Sequence, residues 1–295
     1  MSDSIENSTA DPAITDPAIR VREVVKVFGD RAVLDGVTFD VRRGETLVIM
    51  GGSGCGKSTL LRHMIGSITP TAGRVELLGS NLAELDEKGL NALRLRFGIL
   101  FQSGALFNSL SVAENVALPL REHTDLDDST IEIMVTMKLE LVNLRQAADR
   151  MPSEISGGMR KRAGLARAIA LDPEVLFYDE PSAGLDPVTS AEVDQLMMDL
   201  TGKLGVTSVV VTHEMDSAFR IADRMVMLDR GKTLKIGPRS EFEALRDSPV
   251  TGDPTADLIR QFLRGDSTGP ITERRLSGGY AEDILSVVEA HEQRR

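Results

Sequence analysis

The chain has 295 residues, 34 Lys and Arg against 45 Asp and Glu, and a formal charge of −11. That acidity, with nine Phe, two Tyr and no Trp, argues against sequence-independent DNA binding and against platforms that stack single-stranded bases. The one cysteine, Cys55, excludes an intrachain disulfide or a Cys-based zinc site, and no apolar run reaches the ~18 residues of a membrane span.

Residues 1–18 read as a disordered acidic tail, polar and broken by Pro12 and Pro17, with four acids and no Lys or Arg, unlike a secretory signal. Short apolar runs of strand length follow: Ile19–Phe28, Val37–Val41, Thr46–Met50, Phe97–Phe101, Val175–Tyr178, Val206–Val211 and Met225–Leu228. Helical patterns at Lys57–Ile68, Ile131–Val142, Gly158–Ala170 and Val188–Thr201 lie between them. Strands alternating with helices imply an α/β fold with a mainly parallel sheet covered on both faces. From about 106 to 170 helical patterns follow one another without a strand, as in an inserted helical subdomain. Gly265–Gly279 reads as a linker, and Tyr280, Ile284, Leu285 and Val288 share one face of a C-terminal amphipathic helix. Residues 1–18 carry −4 and 265–295 carry −2, leaving about −5 for the body between. The composition is that of a soluble intracellular protein.

Chemistry concentrates at three places. Gly51-Gly52-Ser53-Gly54-Cys55-Gly56-Lys57-Ser58 fits G-x-x-x-x-G-K-[ST], after a buried strand and before a helix that continues with Thr59. The glycines let backbone N–H groups wrap a phosphate, the helix dipole adds to the attraction, Lys57 reaches the β- and γ-phosphates, and the Ser58 hydroxyl ligates Mg²⁺. Cys55 inside this loop reads as a small tolerated residue rather than a redox centre. Val175–Tyr178 ends in Asp179 and Glu180; such a pair alone is a common surface turn. About 120 residues after a phosphate loop, it presents Asp179 to the metal shell and Glu180 to the attacking water. Ile155-Ser156-Gly157-Gly158-Met159 opens a helical run about 20 residues before Asp179. Alone it is a Ser N-cap with a glycine turn; with a phosphate loop in the chain it is a second phosphate-binding device.

This last segment resembles the LSGGQ signature of ATP-binding-cassette (ABC) ATPases, with Met159 where Gln is usual. The other marks of that family follow in order over about 19–243. Gln102 matches the Q-loop glutamine, coupling metal and nucleotide to a transmembrane partner. Ser182-Ala-Gly-Leu-Asp186 matches the D-loop, His213 the switch histidine that contacts the γ-phosphate, and Phe28 the aromatic that stacks on adenine. The resemblance implies a P-loop NTPase (RecA-like) core, an antiparallel β subdomain and the inserted helical subdomain, making 19–264 the ATPase domain. It implies ATP and Mg²⁺ as cofactors, the metal held by Ser58, Gln102 and Asp179. Glu180, His213, Gln102 and Lys57 are then catalytic. It also implies a homodimer in which Ser156, Gly157, Gly158 and Asp186 of one cassette meet the nucleotide of the other. Leu276-Ser-Gly-Gly-Tyr280 spells the signature more closely, but it stands nearly 100 residues after Asp179 with no second phosphate loop, and is set aside.

Leu100–Val116, Ile155–Arg162 and Gln261–Leu263 also resemble the cassettes of Mla-type lipid transporters. That implies a subunit at the cytoplasmic face of the bacterial inner membrane, peripheral through integral permease subunits. A periplasmic MCE lipid-binding protein and a small STAS-domain protein complete the implied partners, phospholipid is the implied cargo, and nucleic acid has no part. An importer ATPase for another solute (an amino acid, a metal, a toluene-like compound) and a soluble cassette without a permease remain the alternatives.

Overall fold

The computed structural model describes residues 16–275. Residues 1–15 of the expected tail, the second signature-like run at 276–280 and the amphipathic face from Tyr280 to Val288 lie outside the described residues. The chain divides into two compact units at Gly237 and Pro238, inside the 19–264 span assigned to one domain from the sequence.

The first unit begins with β1 (Ile19–Phe28) and β2 (Arg31–Val41), then β3 (Thr46–Gly51) and α1 (Lys57–Met64). β4 (Ala72–Leu77), β5 (Ser80–Asn81), α2 (Glu87–Arg94) and β6 (Phe97–Leu100) follow. Next come α3 (Val112–His123), α4 (Asp128–Leu141) and α5 (Gly157–Ala168), with no strand between β6 and β7 (Val175–Asp179). α6 (Pro187–Leu204), β8 (Thr207–Val211), α7 (Met215–Ile221), β9 (Arg224–Asp229) and β10 (Lys232–Pro238) complete the series.

Ten described strands form two sheets. One runs β2-β1-β4-β5 with antiparallel pairs; the other runs β10-β9-β3-β8-β7-β6, with β9, β3, β8, β7 and β6 parallel. The expected α/β class and antiparallel subdomain are both present. Every residue of β3 and β8 is buried, which is why apolar residues dominate them without alternation, Thr46, Thr207 and Ser208 excepted. β3 and β9 supply Leu47, Ile49, Val226 and Leu228 to a core shared with Phe177 of β7 and with Leu60 and Met64 of α1. Each such side chain is worth about 1.5–3 kcal/mol. Phe97 meets Phe177 edge to face at 5.5 Å. The body starts before Ile19: Asp16 pairs with Arg43 at 3.0 Å, and the buried Ala18 donates to Val41 O at 2.8 Å.

α1 ends at Met64, short of the expected Ile68, because Gly66 takes a φ of 66° and its amide turns back to His63 O. The Ser111–Glu114 capping box starts α3, and Asp127 caps α4. The buried Asn115 side chain bonds Phe107 N and the carbonyls of Phe107, Leu110 and Ser111, fixing the loop between β6 and α3. Among the described residues no helix is long and apolar enough to cross a membrane.

The second unit contains α8 (Arg239–Asp247), α9 (Pro254–Arg264) and α10 (Pro270–Arg275). Asp253 caps α9 with Pro254 in its first turn, and Gly265 closes it in the left-handed conformation. The run expected as a linker from Gly265 instead folds back into α10. Gln261, 4% exposed, explains this: its amide accepts from Ile271 N (2.7 Å) and donates to Asp266 O (3.1 Å) and Thr272 Oγ1 (2.9 Å). A buried amide must find such partners, and only the returning chain supplies them.

Candidate functional site

Parallel α/β sheets bind ligands at the carboxyl ends of their strands, and here β3, β7 and β8 deliver their last residues to one edge. β3 ends at Gly51, with a φ of 150°, where a Cβ would lie 2.2 Å from Leu228 O and 2.7 Å from Cys55 Sγ. Gly56, φ 110°, precedes α1; a Cβ there would lie 2.7 Å from Leu34 Cδ2 and 2.9 Å from Val33 O. The glycines therefore serve close packing as well as the turn. No side chain caps α1, so its first N–H groups and its dipole face the loop, an arrangement suited to an anion.

Ser53, Gly54 and Ser58 are exposed around this loop, with Gly52 and Thr59 half-buried. Lys57 is buried, and its ammonium spans the loop, donating to Gly51 O at 2.7 Å and Gly52 O at 3.2 Å. Cys55 is held through its backbone, accepting from Gly231 N at 3.0 Å. Burial pushes its thiol pKa up, against the pull of Lys57, and the side chain packs into the hydrophobic core.

Asp179 ends β7 half-buried. Burial first, and then the like charge of Glu180, raise its carboxyl pKa, while Arg62, Lys161 and Lys57 act in the opposite direction. Glu180 leaves the strand with a φ of 50°, a left-handed conformation that costs a Glu on the order of 1 kcal/mol. Its N–H donates to Val211 O at 2.9 Å, and its carbonyl accepts from Lys161 Nζ at 3.0 Å. The carboxylate, 14% exposed, accepts from His213 twice: from Nδ1 at 2.9 Å and from the backbone N at 3.3 Å. The acceptor-only carboxylate places the ring proton on Nδ1. The histidine side chain is 60% exposed.

Ser156 caps α5, its Oγ accepting from Met159 N at 3.2 Å. Gly158 is buried: a Cβ would lie 2.4 Å from Thr189 Cγ2, while one on Gly157 would lie 3.5 Å from Leu185 Cδ2. The structure thus groups the signature-like turn with the start of α6. There Asp186 is the N-cap, accepting from Val188 N, Thr189 N and Thr189 Oγ1 at 3.0, 3.1 and 2.6 Å. These bonds, that of Thr189 Oγ1 first, hold its carboxyl below the usual range.

Gln102 is exposed in the turn after β6. The following Gly104 (φ 75°) and Ala105 (φ 47°) lie on α5: a Cβ on Gly104 would be 2.9 Å from Arg160 O, and Arg167 donates to Ala105 O at 2.8 Å and Gly104 O at 3.2 Å. Phe28 is 51% exposed at the end of β1, with the Lys26 ammonium 5.1 Å from its ring centre, a cation–π contact that leaves a ring face available for stacking. Lys57, Asp179, Glu180 and His213 thus converge at one strand edge, while Phe28, Gln102 and Ser156–Gly158 stand on separate exposed turns.

Among the described residues no group of three or more His, Cys, Asp or Glu side chains is arranged to hold a metal. The oxygen donors near this edge are the Asp179 carboxylate and the Ser58 hydroxyl, with the Gln102 amide on its separate exposed turn. That sparse, hard set suits Mg²⁺, which keeps waters and substrate phosphate oxygens in its shell.

Sequence reasoning passed over Lys161, the cation on the backbone of Glu180. The signal was present: Arg160, Lys161 and Arg162 follow the signature in the first turns of a helix, where the dipole disfavours positive charge.

The family described as ABC transporter matches residues 34–183. The chain is 43% identical over 268 residues to the intermembrane phospholipid transport system ATP-binding protein MlaF of Escherichia coli K12, covering 90% of this chain and 96% of that protein. It is 42% identical over 276 residues to the probable ribonucleotide transport ATP-binding protein mkl of Mycobacterium leprae, covering 93% of this chain and 77% of that one. Its fold is similar to the dimeric ATP-binding cassette MJ0796 in a post-hydrolysis state bound to ADP and Pi. That likeness has a TM-score of 0.69 and 30% identity over 75% of this chain and 98% of the other.

Proposed function

Because the chain belongs to the ABC transporter family and is an ATP-hydrolysing cassette, we propose that it powers phospholipid transport between the inner and outer membranes of a bacterium. The observation that carries the cargo reading is the end-to-end match to the phospholipid system's ATPase, 96% of that protein's length. The ribonucleotide relative is as similar in identity but has nearly a quarter of its length outside the match.

In this reading the loop from Gly51 to Thr59 cradles the phosphates of ATP by its N–H groups, and Lys57 leaves the Gly51 and Gly52 carbonyls to pair with the β- and γ-phosphates. Ser58, Asp179 and Gln102 hold Mg²⁺, which when bound neutralises charge developing on the phosphates. Glu180 accepts the proton of the attacking water, a role worth roughly 10²–10⁴-fold in rate. His213 orients that carboxylate through Nδ1–H and contacts the γ-phosphate, and Phe28 stacks on adenine. Ser156, Gly157 and Gly158 supply a second set of N–H donors to the γ-phosphate of an opposing cassette, with Asp186 at the same interface. Turnover thus needs a homodimer.

The same proposal seats the chain at the cytoplasmic face of the inner membrane, held by permease subunits. A cleft of about 700 Å³, with Phe97, Phe101, Pro119 and His123 in its wall, is suited to a permease element. An exposed apolar stripe on α4 (Ile133, Met137, Leu141) offers a surface for a small STAS-domain protein. The MCE lipid-binding protein would act beyond the membrane, and residues 106–170 form the helical subdomain of the 19–264 ATPase domain.

The test is reconstitution of the full chain with its permease in vesicles carrying a fluorescent phospholipid. ATP-dependent phospholipid movement, lost in Glu180→Gln, is expected. ATP turnover without lipid movement, but with ribonucleotide uptake, would overturn the cargo.

A further inference from the structure

α5 touches three of the segments that would surround a nucleotide. Its first turn packs Gly158 on Thr189, whose hydroxyl bonds Asp186. Its fifth residue, Lys161, reaches Glu180, and its last turns carry Gly164 and Arg167 against Gly104 and Ala105. Among these contacts the lysine is the costly one. Lys161 is 5% exposed, and a buried ammonium is retained only where anions and acceptors compensate its desolvation. Burial lowers its pKa, opposed by the charges of Glu214, Glu180 and Asp179, named from the largest. Its hydrogen bond goes to the backbone carbonyl of Glu180 at 3.0 Å rather than to a carboxylate oxygen. That carbonyl belongs to the residue held at φ 50°, and it also accepts from Ala183 N at 3.3 Å. The carboxylate of the same residue is left to His213. The lysine therefore sets the backbone from which the general base projects, without occupying the base.

We propose that Lys161 is a positioning residue that ties the signature end of α5 to the Glu180 peptide, so that nucleotide binding at Ser156–Gly158 by the opposing cassette is transmitted to the general base of the same chain. The proposal rests on the ATPase dimer described above. A side chain without a donor at 161 lets the Glu180 peptide relax out of its left-handed conformation, and the carboxylate then leaves the in-line water position. Phosphate binding at the loop, carried by Lys57 and the α1 N-terminus, does not pass through this link.

The experiment uses the full chain with Lys161→Met, which keeps the length of the side chain and removes the donor, and Lys161→Gln, which keeps an N–H donor. Lys161→Met is expected to lower kcat about tenfold with KM and equilibrium ATP affinity within twofold of wild type, and Lys161→Gln to stay within about threefold in kcat. In a Ser156→Arg background, where the opposing nucleotide is already excluded, Lys161→Met should cost no more than about threefold further, because the two positions act in series. Lys161→Ala, run in parallel, gives the same comparison if the longer apolar side chain compromises folding. An unchanged kcat in Lys161→Met, an equal loss in Lys161→Gln, a parallel loss of ATP affinity, or a full further tenfold loss in the Ser156→Arg background overturns the proposal. Lys57→Ala separates this from the premise: if that variant keeps wild-type turnover, the ATPase assignment of the loop fails whatever Lys161 does.

Discussion

Two helices in this chain begin with glycine-rich turns, and they are built oppositely. α1 has no side-chain cap, glycines at 51 and 56 pressed against backbone and core, and a buried lysine across its mouth. α5 is capped by its own Ser156, has an exposed Gly157, and carries its buried lysine pointing inward to Glu180. The first turn brings N–H groups, dipole and cation together within one chain, the make-up of an anion site in the proposed reading. The second keeps a donor surface outward and sends its cation to the backbone of the hydrolytic carboxylate. In the proposed reading one helix N-terminus is a binding site and the other is one half of an interface, and the position of the lysine distinguishes them.

Substitutions that remove one difference at a time sharpen that contrast. Lys57→Ala carries the largest expected effect: equilibrium ATP affinity should fall about 100-fold, a loss of about 2.7 kcal/mol, because the loop loses the cation proposed to pair with the β- and γ-phosphates. Affinity within twofold of wild type would mean that the loop is a structural turn. Ser156→Arg comes next. ATP affinity of the single chain should be unchanged while turnover falls at least tenfold, since a bulky cation stands where the opposing nucleotide must arrive. Normal turnover there would rule out the arrangement between two chains. Ser156→Ala is the mildest, removing a cap worth about 1 kcal/mol and lowering the thermal midpoint by a few degrees, with little change in ATP affinity.

Much of this contrast was legible beforehand wherever it depended on local backbone chemistry. The run Gly51–Ser58 announces its turn because glycine spacing and the preceding strand are local features, and β3, β7 and β8 announce themselves because near-complete burial leaves them mostly apolar. β4 was not visible: its first three residues, Ala72, Gly73 and Arg74, are exposed, and its pairing with β1 is set by partners some 50 residues away. α10 was read as linker because its place depends on the buried amide of Gln261, a single side chain. Asp186, Ser156 and Gly158 were legible as a motif, but their mutual packing through Thr189 was not, since Thr189 carries no signal of its own. Lys161 was passed over for the same reason: burial of a cation is a tertiary property, and the sequence shows only a basic cluster after Met159.

The central claim is that Glu180 drives hydrolysis of an ATP enclosed between two copies of this chain. Glu180→Gln keeps the shape of the residue and removes the base, so the purified variant should bind ATP with wild-type affinity, turn over at least 100-fold more slowly, and elute with ATP at twice the monomer mass. Wild-type turnover in Glu180→Gln, or a variant that stays monomeric with ATP fully bound, would contradict it.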